Sequence, residues 1–344
     1  MSISRAHCTM LAAAMATLPA AATQPAAQVL PTVYEAGHFF ATPETTSSQK
    51  FRLVVDTGGG GSNGMYWITA ATAKRLHLKT HICKIGGDSA KIVDVPPYKP
   101  GRGLPPPSGP CGNAAMVQDV PQSYARTSHD DGQFSGSYLY ANGIWTFDYP
   151  GRRLTLQGNA WHPDSTAQST PLGFQRDDQG HATFGYARIT IHIDGQPLDM
   201  LLDTGATAHP TPEGKKASGI PTVGGLGVTS YITASVFNRW HKAHPDWRVV
   251  KDGDDLFGPK HTAPIIEVPE VEIAGWSVGP VWFTERPDRA FHDMMSSMMD
   301  KRIEGAVGGN VFRHFVMTID YPDAKAWFRC VRGCKPAATP PPGP

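Results

Sequence analysis

Apolar residues in this chain fall in short runs and alternations, with few stretches of helical period. Residues 51–55, Phe-Arg-Leu-Val-Val, read as a buried strand that runs into Asp56-Thr57-Gly58. Residues 187–193 alternate polar and apolar side chains, Asp194-Gly195 supplies a two-residue turn, and residues 198–202 return as a second strand into Asp203-Thr204-Gly205. Helical patterns are short and peripheral: residues 70–78 and residues 234–243, the latter stopped before Pro245. Residues 291–303 are Met-rich and predict an amphipathic helix whose Met stripe serves adaptable core packing. The pattern predicts an all-β chain.

The chain also repeats itself. Its two Asp-Thr-Gly words stand 147 residues apart, each behind an apolar strand. Farther on, Gly143 to Pro150 matches Phe315 to Pro322 through Asp148-Tyr149-Pro150 and Asp320-Tyr321-Pro322, at a spacing of 172 residues. The same offset lays Gly136 on Gly308, so that Phe134-Ser135-Gly136-Ser137 stands against Ala306-Val307-Gly308-Gly309. Two related lobes follow, expected at residues 33–163 and 179–334, with the boundary in the polar, turn-rich residues 164–178. The 25 residues by which the second spacing exceeds the first read as an insertion, within residues 240–260 or 286–301. Asp148 and Asp320 end strands and are assigned structural roles.

Composition narrows the classes. At 344 residues the chain is long enough for two cores, and 36 Gly and 31 Pro against 18% charged residues favour strands and turns. Thirty-one Lys and Arg balance 30 Asp and Glu, and no basic stretch is interleaved with aromatics, which argues against a nucleic-acid partner. Residues 1–22 have the outline of a secretory signal: Arg5, a short apolar run, then Ala20-Ala21-Ala22. The expectation is therefore an exported protein, periplasmic or secreted, and no apolar run reaches the roughly 20 residues of a membrane span. Once Cys8 leaves with the signal, sequence order pairs Cys83 with Cys111 and Cys330 with Cys334 as disulfides. Four cysteines allow three pairings, and a zinc site is the rival reading, although the paired C-x2-C spacing of structural zinc is missing. Residues 23–31 read as a linker and residues 335–344 as a disordered Pro-rich tail.

Two carboxylates on tight glycine turns, one per half of a duplicated chain, would meet across a pseudo-two-fold axis. Such a pair cannot easily ionise twice, so it holds one proton and splits into a base and an acid. A water between them, activated by the ionised member, could attack a peptide carbonyl without metal or cofactor. Asp56-Thr57-Gly58 and Leu201-Leu202-Asp203-Thr204-Gly205-Ala206-Thr207 resemble the active-site loops of pepsin-like and retropepsin-like aspartic proteases. Gly305 to Asn310 is similar to that family's later apolar-apolar-Gly segment. The resemblance implies an all-β, bilobal fold of two β-barrel lobes with a cleft, and endopeptidase activity on a peptide or protein substrate. It further implies Asp56 and Asp203 as the catalytic pair, supported by Thr57, Gly58, Thr204, Gly205 and Thr207. Two loops in one chain remove the need for a dimer, so a monomer is expected.

The first loop departs from that pattern. It continues Gly59-Gly60-Gly61, where the family offers Ser or Thr two residues after the motif glycine, a place that Thr207 fills in the second half. An inactive peptide-binding relative is the alternative this raises. A second rival is a serine hydrolase, because Gly60-Gly61-Ser62-Asn63-Gly64 fits a nucleophile elbow. The pairs His77/His81 and His241/His244 lack a carboxylate partner at a metal-binding spacing and read as surface side chains. No residue signature marks a substrate-covering flap.

Overall fold

The computed structural model describes residues 27–62, 64–85, 87–107, 109–120 and 130–338. The expected signal, residues 1–22, and the last residues of the Pro-rich tail lie outside the described residues.

The described residues are mostly β, and the two halves repeat one strand order. In the first half the strand before the loop, Leu53–Asp56, pairs in parallel with Gly132–Ser135. Gly132–Ser135 pairs antiparallel with Trp67–Thr69, which in turn pairs in parallel with Ala114–Gln118. The second half does the same: Gln196–Leu202 beside Gly305–Val307 in parallel, then Ser230–Thr233 antiparallel, then Val281–Arg286 in parallel. Beyond these lie the hairpins Thr80–Ile85/Asp88–Asp94 and Val249–Asp254/Ala263–Val268, in equivalent places. Neither hairpin was marked by a residue signature in the sequence. The two sheets end on edge strands with a single neighbour, so they are open rather than the closed barrels expected.

A third sheet joins the halves. The matched closing strands Ile144–Asp148 and Phe315–Asp320 pair antiparallel with each other, and Thr146 faces Thr318 with their hydroxyls 2.8 Å apart. A segment that pairs with its own repeat marks a pseudo-two-fold axis. The flanks are symmetric too: Gln28–Val29 lies on Arg153–Leu156, and Gln168–Pro171 on Lys325–Cys330. The repeated strands therefore span 28–156 and 168–330, and the expected linker at 23–31 already contains a strand. Asp148 and Asp320 accept from the turn amides of Gly151 and Asp323, while Tyr149 and Tyr321 are buried beneath.

Local chemistry explains the elements. In Arg188–Ile193 the apolar residues face the core and the polar ones do not. Its hairpin closes through Asp194 and Gly195 at φ 53° and 70°, the left-handed pair that a two-residue turn matched to strand twist requires. The helix Ala70–Arg75 is capped by Thr69, whose hydroxyl accepts from Thr72 N, and ends earlier than expected because His77 turns left-handed at φ 53°. Ala234–Ala243 buries Val236, Phe237 and Trp240 on one face.

Three further expectations change. The Met-rich segment is a wide π-type turn, Ala290–Met295, followed by the 3₁₀ turn Ser296–Met298. Ser296 Oγ donates to Phe291 O and accepts from Ile303 N, which folds the chain back before a longer helix can form. The extra length of the second half is largest at residues 206–229, between the second loop and its next strand, against residues 59–66 in the first. That stretch holds the helix Pro212–Ser218 and the hairpin Thr207–Ala208/Gly227–Val228. The C-terminal tail starts later than residue 335, because Cys334–Pro336 pairs with Trp276–Val278. Cys83 is bonded to Cys111 and Cys330 to Cys334, the pairing expected from sequence order. No helix of the described residues is long and apolar enough to cross a membrane.

Candidate active site

The parallel pairs Leu53–Asp56/Gly132–Ser135 and Gln196–Leu202/Gly305–Val307 each deliver an Asp-Thr-Gly loop to the axis between the halves. The loops are locked together by their threonines. Thr57 Oγ1 donates to Leu202 O (2.6 Å) and accepts from Thr204 N (3.0 Å). Thr204 Oγ1 donates to Val55 O (2.8 Å) and accepts from Thr57 N (3.1 Å). Both side chains are buried, so these four bonds hold the turns in register with no water competing.

Asp56 and Asp203 face each other across the axis, each against the other loop's glycine: a Cβ on Gly205 would lie 2.2 Å from Asp56 Cγ. Each carries one inner hydrogen bond of the same kind: Gly58 N donates to Asp56 Oδ1 and Gly205 N to Asp203 Oδ1, both at 2.9 Å. Glycine is needed at Gly58 because a Cβ there would lie 2.7 Å from Asp203 Cγ and 2.8 Å from Leu201 Cδ2. Burial raises the affinity of both carboxyls for a proton. Asp203 is pushed further up, well above the usual carboxylate range, because the charge of Asp56 adds to its burial. Asp56 is instead held back by hydrogen bonds from Asp203, the Gly58 amide and the Gln133 side chain. The pair thus titrates as a unit that keeps one proton, and both directions favour Asp203 over Asp56 as its holder.

That asymmetry has a stability signature. Above the ordinary value of 3.8 the unfolded Asp203 is ionised, while the folded one retains its proton up to its raised value. Folding therefore takes up a proton in that window, and stability falls as pH rises through it. Asp203→Asn removes the liability. Urea unfolding is expected to show the variant gaining on the parent as pH rises above 3.8, by about 1.4 kcal/mol for each pH unit up to the raised value. Below 3.8 the advantage disappears, and parallel curves for the two proteins would contradict the assignment.

Thr207 lies next to the second loop, but its hydroxyl donates to Gly205 O (2.7 Å) and sits 3.0 Å from His38 Nε2 instead of reaching the Asp203 carboxyl. It buttresses the turn from behind. His38 comes from the first half, is buried, and is held neutral down to about 4 by desolvation. Thr207 N donates to Tyr231 Oη (2.8 Å), and Tyr231 Oη donates back to Thr207 O. The guanidinium of Arg286, 4.5 Å over the Tyr231 ring, is itself ion-paired with the buried Asp254 at 2.8 Å. His38, Tyr231 and Arg286 were not found from sequence, since isolated residues far from the loops carry no local signal.

Register corrects one more reading. Val55 pairs with Phe134 and Leu202 with Val307, while Trp67 pairs with Gln133 and Tyr231 with Ala306. Gln133-Phe134-Ser135 therefore stands where Ala306-Val307-Gly308 stands, one residue away from the alignment that put Gly136 on Gly308. The one-residue slip arises after this strand, where the helix Gly136–Ala141 is longer than Gly309–Phe312. Ser135 occupies the glycine place and donates to Met65 O at 3.0 Å. Gln133 was missed because the offset read from the Asp-Tyr-Pro words concealed it.

The Ser62 loop does not form an elbow. Ser62 Oγ donates to the Met116 sulfur, and the next element is the strand Trp67–Thr69, with a helix only from Ala70. His244 stacks on Trp247 and faces Asp194, and His81 faces Asp94. No group of three or more His, Cys, Asp or Glu among the described residues is arranged to hold a metal ion.

No family profile and no curated protein matches the sequence. Among solved structures, the aspartic proteinase from Irpex lacteus aligns with a TM-score of 0.46 at 11% identity, over 90% of this chain and 98% of that one. The basic 7S globulin from soybean aligns with a TM-score of 0.43 at 10% identity, over 88% of this chain and 95% of that one.

Proposed function

We propose that the chain is an aspartic endopeptidase in which Asp56 and Asp203 activate a water between them. The observation that carries this reading is the reciprocal Thr57–Thr204 lock, which brings two carboxyls together from the two halves, Asp203 buried and Asp56 half-buried. A structural turn has no need of two carboxyls, both raised by desolvation, at a symmetry axis. Asp56, ionised, takes the proton from water, and the oxygen attacks the scissile carbonyl. Asp203 donates a hydrogen bond to the developing oxyanion and then a proton towards the departing amine. The chain's own residues supply both proton steps. In keeping with two disulfides, the working compartment is oxidising, and the enzyme is exported and monomeric.

A peptide in which a secondary alcohol replaces the scissile carbonyl mimics the tetrahedral intermediate. It is expected to bind the parent protein at acid pH at least about 100-fold more tightly than the parent peptide, and to lose that advantage in Asp203→Asn. Equal affinity for alcohol and peptide would favour the peptide-binding alternative. Labelling of Ser62 by a fluorophosphonate would instead revive the serine hydrolase.

A further inference from the structure

The two Asp loops share a backbone but not their surroundings, and the difference centres on Gln133. Gln133 is buried and replaces Ala306 of the second half, on the strand that flanks its Asp. Its Nε2 donates to Asp56 Oδ2, the oxygen not taken by Gly58 N. Its Oε1 accepts from Trp67 Nε1 at 2.8 Å. Indole nitrogen can only donate, so the amide is fixed with its NH₂ towards Asp56. Trp67 and Tyr231 hold matching places in the two halves, so each half uses one aromatic polar atom to brace its own loop.

The second half offers no such donor. Ala306 has none, and Thr207 is turned to Gly205 O and His38. The neighbouring residue follows suit. Gly59 stands in the first loop where Ala206 stands in the second, and a Cβ on Gly59 would collide with the Gln133 amide. Neither Gly59 nor Gly60 has a left-handed φ, so the conformation of Gly59 accepts alanine, and the three atoms nearest to an added Cβ all belong to the Gln133 amide. The pairs Gln133 with Gly59 and Ala306 with Ala206 are thus matched sets. Gly60, at the place of Thr207, gives the first loop no hydroxyl, and Gln133 supplies the outer donor from a different strand.

We propose that Gln133 is a positioning residue that makes Asp56 the ionised member of the pair. A side-chain donor fixed on one carboxyl stabilises its charged form, and the matching carboxyl, with backbone donors alone, keeps the shared proton. The inference rests on the endopeptidase reading for its catalytic consequence, but the proton's location is a property of the protein by itself.

The test follows the carboxyl ¹³C signals of Asp56 and Asp203 through a pH titration of the full chain, in the parent, Gln133→Ala, Gly59→Ala and the double variant. Peptide kcat/KM is recorded alongside. Loss of one hydrogen bond to a charged group is expected to move the Asp56 titration, and the acid limb of kcat/KM, up by about one to two pH units. Cleavage at the acid side falls by about 10- to 100-fold. Gly59→Ala does the same by displacing the amide, and adds little once Gln133 is Ala. The other titratable groups facing the pair do not imitate this. Tyr186 and Tyr231 are pushed up to about 12 and Tyr149 is raised as well, while desolvation lowers His38, behind Gly205 and Ala206 and away from Gln133, to about 4. Unchanged Asp56 titration in Gln133→Ala, or full additivity of the two substitutions, overturns the inference. If the parent cleaves nothing, the endopeptidase reading fails, and the ¹³C titration still decides the role of Gln133.

Discussion

Asp203→Asn and Asp56→Asn are each expected to lower kcat/KM for peptide cleavage by about 10²- to 10⁴-fold, with KM little changed. The two fail for different reasons. In Asp203→Asn the new amide still offers a hydrogen bond to the oxyanion but has no proton to pass to the leaving amine. In Asp56→Asn the new amide cannot accept the proton of the attacking water. Neither change disturbs the frame, because Thr57 and Thr204 bond to backbone atoms and to each other and not to the carboxyls. Loss of activity should therefore come with retained folding, and for Asp203→Asn with higher stability near neutral pH. Activity and stability moving in opposite directions identify a site held against the preference of the fold. Activity lost together with stability would indicate a structural role instead.

The second large effect is on folding. Asp254→Ala is expected to cost about 3–5 kcal/mol in urea unfolding. Asp254 and Arg286 have side chains 1% and 7% exposed and are 2.8 Å apart, so the substitution strands a buried guanidinium. It also removes the acceptor for the amides of His209 and Leu256. Asp254→Leu combined with Arg286→Met removes both charges and is expected to recover most of the loss, since the pair's penalty lies mainly in leaving one partner alone. The consequence extends to the site. Arg286 lies over Tyr231, Tyr231 braces Thr207, and Thr207 supports the turn of Asp203. A single Asp254→Ala cost below about 1 kcal/mol would show that this pair does not hold the fold.

Much of this was legible because duplication writes the same words twice. The Asp-Thr-Gly loops, the strands before them and the closing Asp-Tyr-Pro strands are contiguous, and contiguity is what sequence patterns report. The closing strands proved to pair with each other at Thr146 and Thr318, a relation implicit in their match. What stayed hidden depends on register and on distant partners. A one-residue slip changed which residue flanks Asp56, because a strand's neighbours are set by pairing across the sheet. The insertion after the second loop was misplaced since its helix and hairpin replace a glycine-rich turn with no sequence counterpart. The 291–303 segment has helical periodicity, yet the Ser296 hydroxyl overrides it.

The central claim is that two carboxyls with one proton between them cut peptide bonds. The most direct test is cleavage of a mixed peptide library by the full chain from about pH 3 to pH 7, the range in which a carboxylate pair exchanges its shared proton. Internal cleavage with a bell-shaped profile is expected, limited on the acid side by protonation of Asp56 and on the other by loss of the proton from Asp203. A protein that binds these peptides but cleaves none of them at any pH would contradict the claim.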